Sequence, residues 1–133
     1  MIYTNSDGGA RGNPGPGAIG VLVRKDDSIV ETYGEKIGKV TNNVAEYRAL
    51  IKALELAKRY TDDEVTCVLD SQLIVRQLLG EYQVHNAELL KLFLEVQKLQ
   101  DNFKKIKYIH VRRHNVFQQI VDNLLNMELD GKS

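Results

Sequence analysis

The chain has 133 residues, which is enough for one hydrophobic core and too few for two ordinary domains. Hydrophobic residues make up 43 % and charged residues 27 %, as in a soluble globular protein. No apolar run approaches the roughly 18 residues of a membrane span and no secretory leader opens the chain, so we expect a cytoplasmic protein without a membrane partner. The formal net charge is zero, but basic residues cluster in 104–114, so the overall charge does not exclude a nucleic acid partner.

The N-terminal third predicts an antiparallel meander of strands. Residues 1–6 favour a strand, and the Gly- and Pro-rich stretch 12–17 is predicted to be a loop. Residues 18–24 and 28–37 are predicted to be two further strands, joined by a hairpin at Asp26 and Asp27.

The rest of the chain alternates helical and strand patterns. A helix is predicted from a cap at Thr41 or Asn42 to about Arg59 or Tyr60, with a buried stripe formed by Val44, Tyr47, Leu50, Ile51 and Leu54. A strand at 64–69, a short helix at about 71–79, a helix at about 86–100, a strand at 106–111 and a final helix follow. The order β-β-β-α-β-α-α-β-α indicates an α/β fold with one five-stranded mixed sheet, three strands antiparallel and the rest parallel, flanked by helices. We expect residues 1–133 to form a single domain.

Four carboxylates stand out: Asp7, Glu46, Asp70 and Asp122. Asp7 and Asp70 each follow an apolar run that predicts a strand, and the carboxyl ends of neighbouring parallel strands converge on one rim of a sheet. Acids on one rim repel each other unless a cation neutralises them, and hard oxygen ligands suit Mg²⁺ or Mn²⁺. Any one of these acids could instead be a solvated end of a strand or helix, so the interpretation depends on the residues around them.

Four ordered motifs surround the carboxylates. The chain reads DGGARGN over residues 7–13, TNNVAEY over 41–47, DSQLIV over 70–75 and VDNLLN over 121–126. Together these motifs resemble ribonuclease H of type 1, the enzyme that cuts RNA paired to DNA. The resemblance extends over nearly the whole chain and implies the ribonuclease H fold.

The resemblance also implies a reaction, a metal and a partner. The expected activity is endonucleolytic hydrolysis of the RNA strand of RNA/DNA hybrids, giving 5′-phosphate and 3′-hydroxyl ends, by a monomeric protein. Two Mg²⁺ ions about 4 Å apart would activate the water and stabilise the leaving oxygen, and Mn²⁺ can substitute. In this family pattern Asp7 and Asp70 contact the metals most directly, Glu46 holds the ion near the leaving group and Asp122 holds the ion near the attacking water.

His114 and a set of small polar residues complete the expected site. In many family members a histidine on the loop before the last helix assists proton transfer or product release, although His114 could equally be a surface residue of a basic loop. The residues expected to read the minor groove of the hybrid, or to let its backbone approach, are Gly8, Gly9, Asn13, Asn42, Asn43 and Gln72. Asn42 could also cap the helix, and Thr41 and Asn86 resemble a pocket that grips a phosphate of the DNA strand.

The chain departs from the family pattern in two places. The link at 79–85 is short and holds no Lys or Arg, which indicates a compact form without the basic protrusion of larger relatives. We also expect no extra N-terminal hybrid-binding domain. We therefore expect modest, salt-sensitive affinity for the hybrid. Near the end of the chain, Gln118 and Val121 stand where many relatives have Asn and Ala.

The last carboxylate depends on how this final motif is aligned. Aligning Asn115 with the family's Asn would place Gln119 at the metal, whereas aligning from the far side makes Asp122 the acid. Helical phase favours Asp122, because it stands at the border of the apolar stripe of Phe117, Ile120, Val121, Leu124 and Leu125.

Two other function classes remain possible from the sequence. One is another nuclease or strand-transferase of the same superfold, such as a Holliday-junction resolvase or an integrase, which the DGG and TNN elements disfavour. The other is a non-catalytic hybrid-binding module, which would be expected to lack one of the four carboxylates.

Overall fold

The computed structural model describes residues 1–131 and contains the nine elements in the predicted order. The strands are β1 (Ile2–Ala10), β2 (Gly15–Lys25), β3 (Ser28–Val40), β4 (Glu64–Leu69) and β5 (Lys105–His110). The helices are α1 (Asn42–Ala57), α2 (Gln72–Leu78), α3 (Ala87–Gln100) and α4 (Val116–Leu129). Among these residues, no helix has both the length and the apolar character needed to cross a membrane.

The five strands form one mixed sheet in the order β3-β2-β1-β4-β5. β2 pairs antiparallel with both β1 and β3, whereas β4 pairs parallel with both β1 and β5. The predicted fold class, with an antiparallel meander followed by parallel strands, is confirmed. β1 is the central strand, and it separates the antiparallel half from the parallel half.

Helices cover both faces of this sheet. A Cβ built on Gly8 would point at α1, and one built on Gly9 would point at Leu125 of α4. Since successive residues of a strand face opposite sides, α1 and α4 lie on opposite faces. The main core lies on the α1 side, where the predicted stripe of α1 is buried against Val65, Cys67, Leu69, Ile74, Val75 and Val96.

Two glycines allow these helices to lie unusually close to the sheet. A Cβ on Gly8 would overlap the carbonyl oxygen of Ala45 in α1, and one on Gly20 would overlap the carbonyl oxygen of Val121 in α4. Gly20 is the cross-strand partner of Asp7. The two close approaches therefore flank Asp7 and bring both helices to the same part of β1.

The predicted loop at 12–17 is partly wrong, because β2 begins at Gly15. Gly15 pairs with Val40, and Gly17 pairs with both Ala10 and Gly38, so the stretch is held between two neighbouring strands. Sheet pairing on both sides overrides the weak strand propensity of glycine. β1 and β3 are longer than predicted for the same reason, while α1 ends at Ala57, two or three residues earlier than predicted.

We expect Gly20→Ala to lower the free energy of unfolding by about 1–3 kcal/mol, because the new methyl group must push α4 away from β2. Urea denaturation of the variant and the wild type measures this difference. Gly9→Ala is the matched control, since its Cβ would lie 3.7 Å from Leu125 Cδ1, an ordinary contact. Equal stability of Gly20→Ala and the wild type would contradict the close approach.

Candidate active site

Asp7 and Asp70 lie side by side where the parallel pairing of β1 and β4 ends. The last parallel pair is Ser6 with Leu69, and the next residue of each strand is an acid. Asp7 is inside β1 rather than at its end, because β1 continues to Ala10 in its pairing with β2. The predicted convergence of the two acids at one rim therefore holds, although the strand that carries Asp7 was predicted too short.

Glu46 reaches the same point from α1. One of its carboxylate oxygens accepts a hydrogen bond from the backbone N–H of Gly8, the residue at which α1 approaches the sheet. Ligand oxygens of Asp7, Glu46 and Asp70 all lie within 4.8 Å of one another. We call these three residues the acidic trio.

Burial and mutual repulsion make this arrangement unfavourable for three negative charges. Burial raises the pKa of Asp7, and the charges of Glu46 and Asp70 raise it further. Burial also raises the pKa of Glu46 and of Asp70. The side-chain interaction between Asp7 and Glu46 raises the pKa of Asp7 and partly offsets the rise in the pKa of Glu46.

The trio has the chemistry of a site for a hard divalent cation. Its donors are carboxylate oxygens, which suit Mg²⁺ and Mn²⁺. Glu46 Oε2 is buried and has no hydrogen-bond partner among the described residues, so it is desolvated without compensation. A cation would compensate this oxygen and remove the repulsion within the trio.

One basic side chain, that of Arg113, forms an ion pair with the trio. Arg113 Nε lies 4.0 Å from Asp70 Oδ2 and lowers the pKa of that carboxyl, against the larger effect of burial. The Arg113 side chain is 86 % exposed, so solvent screens this ion pair and it stabilises the fold little.

Asp122 lies outside the close trio but faces the same open depression, which we call the acidic cleft. The cleft is lined by the trio, by Gly8, Gly9, Asn42 and Asn43, and by Asp122 and Leu125 of α4. The charge of Asp122 raises the pKa of both Asp7 and Asp70. Gln119, the residue favoured by the other alignment, is exposed. The structure thus places Asp122 within electrostatic reach of the trio.

His114 is exposed on the loop between β5 and α4. It lines a shallow pocket next to the acidic cleft, and Arg113 and Asp122 belong to the lining of both. The histidine therefore lies beside the cleft, and its catalytic role stays a prediction.

Asn13 and Asn42 bond to backbone groups and tie the glycine-rich segment to the start of α1. Asn42 Oδ1 accepts a hydrogen bond from Ala10 N–H at 2.9 Å, and Asn13 Oδ1 accepts one from Asn42 N–H at 3.0 Å. Asn42 is the first residue of α1, and the cap is Thr41, whose Oγ1 accepts from Val44 N–H at 3.2 Å. Of the two predicted roles of Asn42, helix capping is therefore wrong.

Of the other predicted substrate residues, Asn43 lines the cleft, whereas Gln72 and Asn86 are not part of its lining. Gln72 is exposed at the start of α2, whose cap is Ser71. Asn86 caps α3, with Oδ1 accepting from Leu89 N–H at 3.0 Å. Binding of substrate by these residues stays a prediction.

Several residues of the cleft were not singled out from the sequence. They are Arg11, Ser71, Arg113, Asn126 and Leu129. Arg11 lies inside the glycine-rich motif, and its Nη1 is 2.6 Å from Asp130 Oδ1. Arg113 belongs to the basic cluster at 104–114, so both arginines lie in segments that the sequence already marks. The sequence does not show which basic side chains face the acids.

Known proteins that are similar to this chain agree with one another in family and fold. The sequence profile of a family described as reverse transcriptase-like matches residues 5–127. The crystal structure of RNase H1 from the archaeon Halobacterium salinarum is 37 % identical, covers 98 % of each chain and superposes with a TM-score of 0.92. The structure of LC11-RNase H1 in complex with an RNA/DNA hybrid is 36 % identical, with the same coverage and TM-score.

Curated relatives extend beyond the matched region. A bifunctional protein of Mycobacterium tuberculosis is 38 % identical over 133 residues, which is 98 % of this chain and 36 % of that protein. The ribonuclease HI of Halobacterium salinarum is 39 % identical, and the match spans 64 % of its length. The chain thus spans about a third of the mycobacterial relative and just under two thirds of the archaeal one.

We expect Asp7→Asn to stabilise the metal-free protein at neutral pH by at least about 1 kcal/mol, the equivalent of one pKa unit. Because the carboxyl pKa of Asp7 is raised in the folded state, folding takes up protons above about pH 4, and stability falls as the pH rises. Thermal melts in EDTA at about pH 5 and pH 8 should show this fall in the wild type and a smaller one in Asp7→Asn.

Asp101→Asn, at the C-terminal end of α3, is the matched control for the same chemical change. It should leave the pH dependence of the wild type unchanged. A variant Asp7→Asn that is less stable than the wild type in EDTA at pH 8 would contradict the repulsion inferred for the trio.

Proposed function

This chain belongs to the type 1 ribonuclease H family, and we propose that it is an endonuclease that hydrolyses the RNA strand of RNA/DNA hybrids, leaving 5′-phosphate and 3′-hydroxyl ends. The observation that carries the proposal is the acidic trio, whose oxygens lie within 4.8 Å of one another on the rim of the sheet. The hybrid bound to LC11-RNase H1 supports the choice of substrate. The proposed domain is residues 1–133, of which the last two lie outside the described residues.

The metal in this proposal is Mg²⁺, at two positions, with Mn²⁺ able to substitute. Asp7 and Asp70 would hold the ions most directly, Glu46 would offer its uncompensated Oε2, and Asp122 would serve the second position from α4. When bound, such ions generate a water nucleophile and stabilise the charge on the leaving oxygen. The raised carboxyl pKa values support this assignment, because a cation returns these groups to the charged form.

The protein contributes a rigid arrangement of oxygens around the scissile phosphate. The Gly8 N–H holds one oxygen of Glu46, and Gly8 and Gly9 line the cleft, where their backbone can contact a nucleic acid. His114 stands beside Asp122, where it can exchange a proton with a group at the edge of the cleft.

Recognition of RNA in this proposal depends on the amide groups near the cleft. The carboxamide oxygens of Asn13 and Asn42 already accept backbone hydrogen bonds, so their NH₂ groups are fixed as the donors toward a substrate. Asn43 and Gln72 offer both donors and acceptors. A 2′-hydroxyl is itself a donor and an acceptor, and small amides can read it in a shallow groove.

We expect Asp70→Asn and Asp122→Ala each to reduce Mg²⁺-dependent cleavage of a labelled RNA/DNA hybrid by about two orders of magnitude or more, since each removes a charge that would face the metals. Gln119→Ala is the matched control on α4 and should be nearly silent. Melting temperatures verify that all three variants are folded. Loss of activity in Gln119→Ala with full activity in Asp122→Ala would show that the other alignment of the final motif is correct.

We expect no cleavage when the RNA strand is replaced by DNA, and poor cleavage at a lone ribonucleotide in a DNA duplex. Several consecutive 2′-hydroxyls are needed to engage Asn13, Asn43 and Gln72 together. Gel analysis of the three labelled duplexes, in Mg²⁺ and in EDTA, measures this preference. Efficient cutting of duplex DNA would indicate a resolvase- or integrase-like activity, and binding without cutting would indicate a hybrid-binding module.

A further inference from the structure

Gln118 is a polar side chain with no exposed surface, one helical turn before Asp122. Its Nε2 donates a hydrogen bond to the carbonyl oxygen of Ser6 at 2.7 Å. Its Oε1 accepts one from Asn5 Nδ2 at 3.1 Å. Gln118 therefore forms hydrogen bonds to β1 at Asn5 and Ser6, the two residues that directly precede Asp7.

The partner of Gln118 is itself held in place. Asn5 Oδ1 accepts a hydrogen bond from Arg24 Nε at 3.1 Å, and Arg24 Nη1 donates to the carbonyl oxygen of Asp26 at 2.7 Å. The guanidinium lies 4.2 Å from the ring centroid of Tyr3 and 4.3 Å from that of Phe117. Since Arg24 has only donors, it requires the oxygen of Asn5, which directs the Asn5 NH₂ group to Gln118.

This chain of contacts helps to fix where α4 lies along β1. The close approach of Val121 to Gly20 sets the distance between α4 and the sheet, and the hydrogen bonds of Gln118 add a directional constraint along β1. Both hydrogen bonds of Gln118 would break if α4 slid or rotated. Residues four apart share one face of a helix, so the position of Gln118 also sets that of Asp122.

Burying an amide costs free energy unless its hydrogen bonds are satisfied, whereas apolar side chains of similar size need no hydrogen bonds to pack in a core. A hydrogen-bonded amide differs from an apolar side chain in being directional, so it favours one register of the helix over its neighbours. The register selected here is the one that faces Asp122 into the acidic cleft.

We propose that Gln118 is a positioning residue, which sets the place of Asp122 relative to Asp7 through its hydrogen bonds to Asn5 and Ser6 and thereby tunes the binding of Mg²⁺ in the acidic cleft. The consequence for cleavage rests on the proposed function. The consequence for Mg²⁺ binding does not depend on cleavage and can be measured on the protein alone.

The test is a titration of the EDTA-stripped protein with Mg²⁺, followed by the rise in melting temperature. Gln118→Met keeps the size of the side chain and removes both hydrogen bonds. We expect it to raise the Mg²⁺ concentration for half-maximal stabilisation by about 10- to 100-fold, the usual cost of losing a residue that orients a metal ligand. Gln119→Met, the exposed neighbour on α4, is the matched control and should respond as the wild type does.

A double-variant cycle separates positioning from general loss of stability. If Gln118 acts through Asp122, adding Gln118→Met to Asp122→Asn should weaken the Mg²⁺ response no further than Asp122→Asn alone. Independent, multiplying effects in the double variant would overturn the proposal. A wild-type Mg²⁺ response in folded Gln118→Met would also overturn it, because a merely structural role lowers the melting temperature without changing this response.

A second variant and a cleavage assay complete the design. Should Gln118→Met fail to fold, Gln118→Asn keeps the amide on a shorter side chain that cannot reach both partners, and we expect it to weaken the Mg²⁺ response in the same direction. On hybrid substrate, the Mg²⁺ requirement and kcat should change while KM for the hybrid stays close to that of the wild type. If the wild type cleaves no hybrid, the proposed function fails, whereas the Mg²⁺ titration still decides the role of Gln118.

Discussion

Repulsion within the acidic trio is the constraint on which the rest of this structure depends. Asp7, Glu46 and Asp70 come from three different elements, and without a cation their charges oppose the folded state. The fold must therefore hold the acids together by contacts that do not involve them. The same repulsion would favour the binding of a cation between the three acids.

The contacts that oppose this repulsion are provided by the backbone and by the apolar core. Glu46 cannot move away from Asp7 without lifting α1 from Gly8, and α1 is held by its own buried residues in the main core, among them Tyr47 and Leu50. Asp70 follows a fully paired parallel strand, so its backbone is fixed by the hydrogen bonds of β4. Rigid elements of this kind hold a site more accurately than loops do.

The fourth acid, Asp122, is positioned by contacts of a different kind. α4 lies on the face of the sheet opposite α1, so the main core does not determine its register. Val121 and Leu125 pack α4 against the sheet, and a network of polar groups from Arg24 through Asn5 to Gln118 adds directional contacts. The position of Asp122 thus depends on apolar packing, which is strong and non-directional, together with buried hydrogen bonds, which are weaker and directional.

The sequence by itself determined the order of the elements, the mixed sheet and the convergence of Asp7 with Asp70, because strand alternation, helical periodicity and motif spacing are local properties of a chain. Only the tertiary structure decided what depends on residues far apart in sequence. Pairing with β1 and β3 makes Gly15 and Gly17 part of a strand. The contact between Asn13 and Asn42 orients their amide groups. Gln118, which departs from the family pattern, forms hydrogen bonds that join α4 to β1. These outcomes follow from long-range pairing and hydrogen bonding, which local propensities do not encode.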